Sequence, residues 1–262
     1  MEILVRNAVI SYRLAAGPNA SISPTVVFLH GWERTAADFD ALRERLANTL
    51  PNVSFLQFDL PGFGNSRLPQ QEGISPAEYV QIAKELLDKL GLEKAVLIGH
   101  SFGGMLAVRF AAAFPDRVEK IVLIAAGEAS KRSRRSRVIV RLARLANFFL
   151  RPILDISPGL EQLQERLARL LRSRDYQNAT PLLRKTLALA FAEDIRPYAA
   201  RLTHPALIIW GTRDQETPLA DAKTYHTLIK NSRLEILEGD HFVFLEQGER
   251  CADLIRSFLQ NA

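Results

Sequence analysis

Two periods alternate along this chain. Short apolar runs with a period of two, or no period, are separated by longer stretches whose apolar positions recur every three or four residues. Glu2–Val5 and Val9–Leu14 predict a hairpin with Asn7 and Ala8 near its turn. Thr25–His30 (TVVFLH) and Val53–Asp59 (VSFLQFD) are continuous apolar runs, as expected of strands buried on both faces. Between them Ala36–Leu50 carries a helical period, with Pro51 just beyond its end. Ser75 and Pro76 open a helix that runs to Leu90: serine at the N-cap, proline at the first position, Glu78 at the third, and Gly91 after its end. Lys94–Gly99 is a third buried strand, Phe102–Phe114 a helix stopped by Pro115, and Val118–Ala125 a fourth strand. From 127 to about 200 the apolar spacing is helical, without a convincing strand. Ala206–Trp210, a helix from Pro218, Arg233–Leu237 and a helix from Phe244 to Leu259 then restore the alternation.

Strand–helix alternation of this kind predicts a mostly parallel sheet covered on both faces. The helical interruption predicts an inserted lid, so the expected organisation is a core of residues 1–126 and 201–262 with a cap over 127–200. Ligands in such sheets bind beyond the carboxyl ends of the strands.

At 262 residues the chain is long enough for a core without disulfide or metal staples, and one cysteine excludes an intramolecular disulfide and a cysteine-based zinc site. Hydrophobic content of 47% and charged content of 24% exclude disordered and fibrous classes. No signal-peptide pattern opens the chain and no run of 18 uncharged apolar residues occurs, so a soluble, cytoplasmic, non-transmembrane protein is expected. The net charge of +5 is local: residues 128–175 carry twelve Lys/Arg against five Asp/Glu, leaving the remainder slightly acidic. That segment lacks zinc ligands, aromatic stacking motifs or a recognisable reading helix, so nucleic acid is not an expected partner.

The chemistry sits at strand ends. Gly99-His100-Ser101-Phe102-Gly103 fits G-x-S-x-G between a strand and a helix, a turn sharp enough to project a serine hydroxyl into the crevice. The bland reading is a glycine-rich turn with a capping serine. A serine needs a base, and a histidine base needs a group that fixes its tautomer. His241, in Gly239-Asp240-His241 after Arg233–Leu237, is the candidate base; Asp214, in Trp210-Gly211-Thr212-Arg213-Asp214, is the candidate acid. Glu216 rivals Asp214, and Asp240 reads as a loop residue. His100 is expected to point away from Ser101, while His204 and His226 read as structural or surface. The backbone N–H groups of Phe102 and Trp32 are the candidate oxyanion donors, with the Trp32 indole a possible wall of the acyl pocket.

Five motifs in order resemble the α/β-hydrolase superfamily over nearly the full chain outside the insertion. They are His30-Gly31-Trp32, Asp59-Leu60-Pro61-Gly62-Phe63-Gly64-Asn65-Ser66, the Ser101 turn, Trp210-Gly211-x-x-Asp214, and Gly239-Asp240-His241 followed by Glu246. The resemblance implies an eight-stranded, mainly parallel sheet with helices on both faces, a helical cap, no cofactor and no metal. Serine at the turn departs from the haloalkane dehalogenases and epoxide hydrolases, which carry aspartate there. The HGW, DLPGFG and GHSFGG segments look most like carboxylesterases such as the pimeloyl-ester hydrolase of biotin synthesis, and they also resemble C–C bond hydrolases and lactonases. The expected activity is therefore hydrolysis of a small-molecule carboxylic ester by Ser101, His241 and Asp214. A C–C hydrolase or lactonase on the same residues, or a ligand-sensing relative of low turnover, are the alternatives.

Within the insertion, Ser133–Leu150 spaces Arg134, Arg137, Arg141 and Arg144 along one helical face and Val138, Leu142, Leu145 and Phe149 along another. One reading is a cap helix with its arginines in water. The other is a dock for an acidic carrier protein or an anionic membrane surface.

Overall fold

The computed structural model describes residues 1–17, 24–68, 73–127 and 180–260. The basic helix expected over Ser133–Leu150 lies outside the described residues. Eight strands form one sheet in the order β1-β2-β4-β3-β5-β6-β7-β8. They are β1 (Glu2–Val5), β2 (Ala8–Ala15), β3 (Thr25–Leu29), β4 (Phe55–Phe58), β5 (Ala95–His100), β6 (Val118–Ile124), β7 (Ala206–Gly211) and β8 (Ser232–Leu237). β2 runs antiparallel to β1 and β4; every other pairing is parallel. The hairpin turn falls at Arg6 and Asn7, one residue earlier than the sequence suggests, because Val5 pairs with Ala8 and Arg6 takes φ 55°.

Among the described residues the longer helices are α1 (Asp40–Thr49), α2 (Pro76–Lys89), α3 (Phe102–Ala113), α4 (Pro181–Ala192), α5 (Leu219–Leu228) and α6 (Gly248–Gln260). Two expected single helices are divided. Ala36–Phe39 forms a 3₁₀ turn before α1, and Val243–Glu246 a separate turn before α6. α2 starts as its sequence predicts: the Ser75 hydroxyl accepts from the Glu78 amide while the Glu78 carboxylate accepts from the Ser75 amide.

Strand alternation sorts the core into two layers. Val27, Leu29, Leu97 and Leu123 face α2, α3 and α5; Val26, Phe28, Val96, Ile98 and Val122 face α1 and α6. Both faces are covered, which is why β3, β5 and β7 are buried along their whole lengths. Residues 180–200 carry α4 and a turn at Arg196–Ala199, with no strand. They rest on the core at three points. The Ile74 amide donates to Thr186 Oγ1 at 3.1 Å, Leu183 lies above Gly62, and Arg109 of α3 pairs with Glu193 while stacking on Tyr198 at 4.7 Å. Among the described residues no helix is long and apolar enough to cross a membrane, and no cluster of His, Cys, Asp or Glu has the grouping of a metal site.

Candidate active site

β5 delivers Ser101 to the carboxyl edge of the sheet. The serine holds φ 51° and ψ −116°, a left-handed conformation that a side chain adopts only under constraint. The constraints are visible. The Ser101 amide donates to Ile124 at 3.0 Å, and its carbonyl accepts from the amides of Gly104 at 3.0 Å, Met105 at 3.2 Å and Gly127 at 2.8 Å. Glycine at 103 is required by packing, because a Cβ there would overlap the Leu29 carbonyl and come within 2.7 Å of the His30 carbonyl oxygen. A Cβ at Gly104 would lie 2.6 Å from that of Ala126. The turn is thus wedged between β3 and β6. It leaves the Phe102 amide at the positive end of α3. Among the described residues no acceptor takes the amide of Phe102 or that of Trp32, in the loop after β3.

β7 and β8 supply the other two groups. The His241 Nδ1–H donates to Asp214 Oδ2 at 2.9 Å, with the two side chains 4% and 0% exposed. Asp214 accepts three more hydrogen bonds: from the amides of Glu216 and Thr217, each 2.9 Å from Oδ1, and from the Thr217 hydroxyl, 2.8 Å from Oδ2. Burial opposes its ionisation, but the bond from His241, the imidazole charge and the Thr217 donors outweigh it and hold the carboxyl below the usual range. Glu216 is arranged differently. Its side chain is 62% exposed, and Oε2 lies 3.4 Å from His241 Nε2, on the opposite side of the ring from Asp214. Asp214 is therefore the carboxylate bonded to Nδ1, and Glu216 stands at Nε2. Ser101 and His241 share that edge of the sheet; no hydrogen bond joins them among the described residues, and such contacts commonly tighten only when substrate binds.

Three further residues hold this arrangement. Thr217 is buried; its hydroxyl lies 3.2 Å from His241 Nδ1 as well as bonding Asp214, and its carbonyl accepts the Trp210 indole N–H at 2.9 Å. His30 accepts the Leu60 amide on Nε2 at 2.8 Å, so its proton sits on Nδ1 and donates to the Gly31 carbonyl at 2.8 Å. It ties the loop of Trp32 to the 59–66 loop, and burial lowers its pKa. His100 is fully enclosed. Its Nε2–H donates to the backbone carbonyl of His241 at 3.0 Å, and its ring lies 4.7 Å from that of His241. Burial, then the charge of His241, lowers its pKa to about 3, so the ring is neutral at physiological pH.

The remaining candidates are accounted for locally. Asp240 caps the Phe242 amide at 2.7 Å, His204 bonds the Pro115 carbonyl at 2.9 Å, and His226 on α5 bonds Ser232 at 2.9 Å. Asp59 is caged by the amides of Ala36 at 2.8 Å and Asn65 at 2.9 Å, which makes the 59–66 loop a rigid support beside the crevice.

A family model described as "Alpha/beta hydrolase family" matches residues 26–254. The chain belongs to this family. Among its relatives is a protein of Bacillus subtilis named as a putative 2-succinyl-6-hydroxy-2,4-cyclohexadiene-1-carboxylate synthase. It is 30% identical over 260 residues, 93% of this chain and 92% of its own. A 2-hydroxy-6-oxononadienedioate/2-hydroxy-6-oxononatrienedioate hydrolase of Cupriavidus pinatubonensis is 29% identical over 282 residues, 99% of this chain and 94% of its own. Among solved structures, the enol-lactonase of Burkholderia xenovorans LB400 superposes with a TM-score of 0.76 at 21% identity, covering 100% of both chains. Family membership shows the fold and supports an enzyme, while the reported names include a hydrolase, a putative synthase and an enol-lactonase.

Proposed function

We propose that this hydrolase cleaves carboxylic esters through an acyl-enzyme on Ser101. The observation that carries the reading is the pairing of a strained, glycine-wedged serine with a histidine whose Nδ1–H is fixed on a buried carboxylate. Ser101 Oγ attacks the ester carbonyl and its proton passes to His241 Nε2. The tetrahedral oxyanion is held by the amides of Trp32 and Phe102. His241 then protonates the departing alkoxide, and a water, deprotonated by the same nitrogen, releases the acid and frees the serine. Asp214 stays ionised throughout and stabilises the imidazolium. Residues 127–200 act as the cap in this reading, and α4 and the turn at Arg196–Ala199 belong to its described part.

The relatives named for 2-hydroxy-6-oxo acids support a second reading, C–C bond hydrolysis on the same residues. The test is a series of p-nitrophenyl esters of increasing acyl length, run beside a 2-hydroxy-6-oxodienoate, with wild type and Ser101→Ala. Ester turnover that depends on Ser101, with an organophosphonate attached to that serine, supports the first reading. Turnover of the dienoate alone supports the second. Turnover of neither overturns both and leaves a ligand-sensing role.

A further inference from the structure

We infer that Glu216 makes the leaving-group side of this site selective for charge, favouring esters of cationic alcohols over those of anionic ones. The inference rests on the ester reading, because it concerns the group that His241 protonates. In that step the departing oxygen must come within hydrogen-bond reach of His241 Nε2. Glu216 Oε2 already lies 3.4 Å from this nitrogen, so whatever the leaving oxygen carries passes beside a carboxylate.

The neighbouring charges do not cancel it. Asp214 is on the far side of the imidazole, enclosed, and engaged by four hydrogen bonds. Arg34, in the loop after β3, does interact electrostatically with Glu216, but more strongly with Asp38, which offsets its charge through two bonds, Nε to Oδ2 at 2.6 Å and Nη2 to Oδ1 at 3.0 Å. Arg213, one residue before the acid, is spent on Glu238 at 3.0 Å and Glu246 at 3.6 Å. No Lys or Arg among the described residues comes within 4.0 Å of Glu216, whose partner there is the base itself. The carboxylate therefore presents its charge to the crevice mouth. A cation about 6 Å away, with the dielectric of a partly exposed site, gains a factor of about 3 to 10 in transition-state binding.

Two isosteric pairs of butyrate esters test this by acid release in a pH-stat. One pair is the choline and 3,3-dimethylbutyl esters; the other is the carboxymethyl and carbamoylmethyl esters. In wild type and Glu216→Gln the readout is the ratio of kcat/KM within each pair. The expected result is that the cation-to-neutral ratio falls by about 3- to 10-fold in Glu216→Gln, the anion-to-neutral ratio rises by a similar factor, and added salt moves wild type the same way. Glu238→Gln, which removes an equal charge at the exposed partner of Arg213, is the control and leaves both ratios in place. Ratios that do not change in Glu216→Gln, or that change equally in Glu238→Gln, overturn the inference while Ser101-dependent turnover of the neutral esters keeps the ester reading. Absence of Ser101-dependent turnover with all four esters overturns that reading and the inference with it.

Discussion

The His100 ring gives the molecule a specific weakness in acid. Buried as neutral imidazole with its Nε2–H on the His241 carbonyl, it has a pKa lowered to about 3, against 6.5 for an unperturbed ring. The unfolded chain therefore binds a proton at His100 below about pH 6.5 that the folded chain refuses, and linkage makes stability fall as pH falls through that window. At about pH 7.5 neither state is protonated and the effect vanishes. At about pH 5 the unfolded ring is almost fully charged while the folded one is still neutral, so the loss is about 2 kcal/mol, set by the unfolded value. Replacement by Gln keeps an N–H able to reach the His241 carbonyl and removes the titration. Urea unfolding of wild type and His100→Gln at the two pH values gives the comparison. Because the substitution has its own cost at every pH, the quantity of interest is the change from high to low pH within each protein. Wild type should lose about 2 kcal/mol more than His100→Gln. Parallel losses in the two proteins would refute the reasoning, because they would mean that the folded state accepts the proton at His100.

Asp214→Asn should lower kcat by about 10⁴-fold, because an amide no longer holds the imidazole in the required tautomer, whereas Glu216→Gln should cost at least 100-fold less; the reverse ranking would make Glu216 the orienting acid. Thr217→Val keeps the shape and removes the hydroxyl that bonds Asp214, so kcat should drop about 10-fold, as for the loss of one hydrogen bond to a charged group; Thr217→Ser should restore it, and failure to do so would assign the loss to packing. Gly103→Ala should destabilise the fold by about 3 kcal/mol or more, since the methyl group would meet the immovable Leu29 and His30 carbonyls; thermal unfolding within a degree of wild type would show that the turn is not wedged.

The sheet was legible in the sequence because both its faces are covered, so each central strand is a continuous apolar run between turn-forming residues. Boundaries were less so. Ala36–Phe39 and Asp40–Thr49 share one apolar period, and only the backbone reveals that the first turn is 3₁₀. Val243–Glu246 and Gly248–Gln260 likewise read as one helix, although Gly248 marks the break. Ser101, Asp214 and His241 could be put forward as candidates because the strand ends confine them to one edge and the motif orders them. The groups that position them could not. His30 and His100 act through ring nitrogens on backbone groups 30 and 141 residues away, and no local pattern encodes such pairings. Thr217 had a signal in its spacing, three residues after the acid, where a hydroxyl can fold back on a carboxylate.

Asp214 and Glu216 show why spacing alone leaves roles open. Both are carboxylates, two residues apart on one loop, and both have an oxygen within 3.5 Å of the same imidazole. Chemistry does not separate them; environment does. Asp214 sits where the chain has closed around it, with the Thr217 and Glu216 amides aimed at one oxygen and His241 and the Thr217 hydroxyl at the other. Such a carboxylate cannot move or take a proton without breaking several bonds, and this rigidity suits a group that must stay ionised while the imidazole gains and loses charge. Glu216 has none of that support. It is exposed and meets the other ring nitrogen, Nε2, where the proposed mechanism would bring the substrate. In the proposed mechanism, a rigid anion behind the ring would let one histidine serve as base and then as acid, and a solvated anion in front of it would act on the molecule that the histidine is offered.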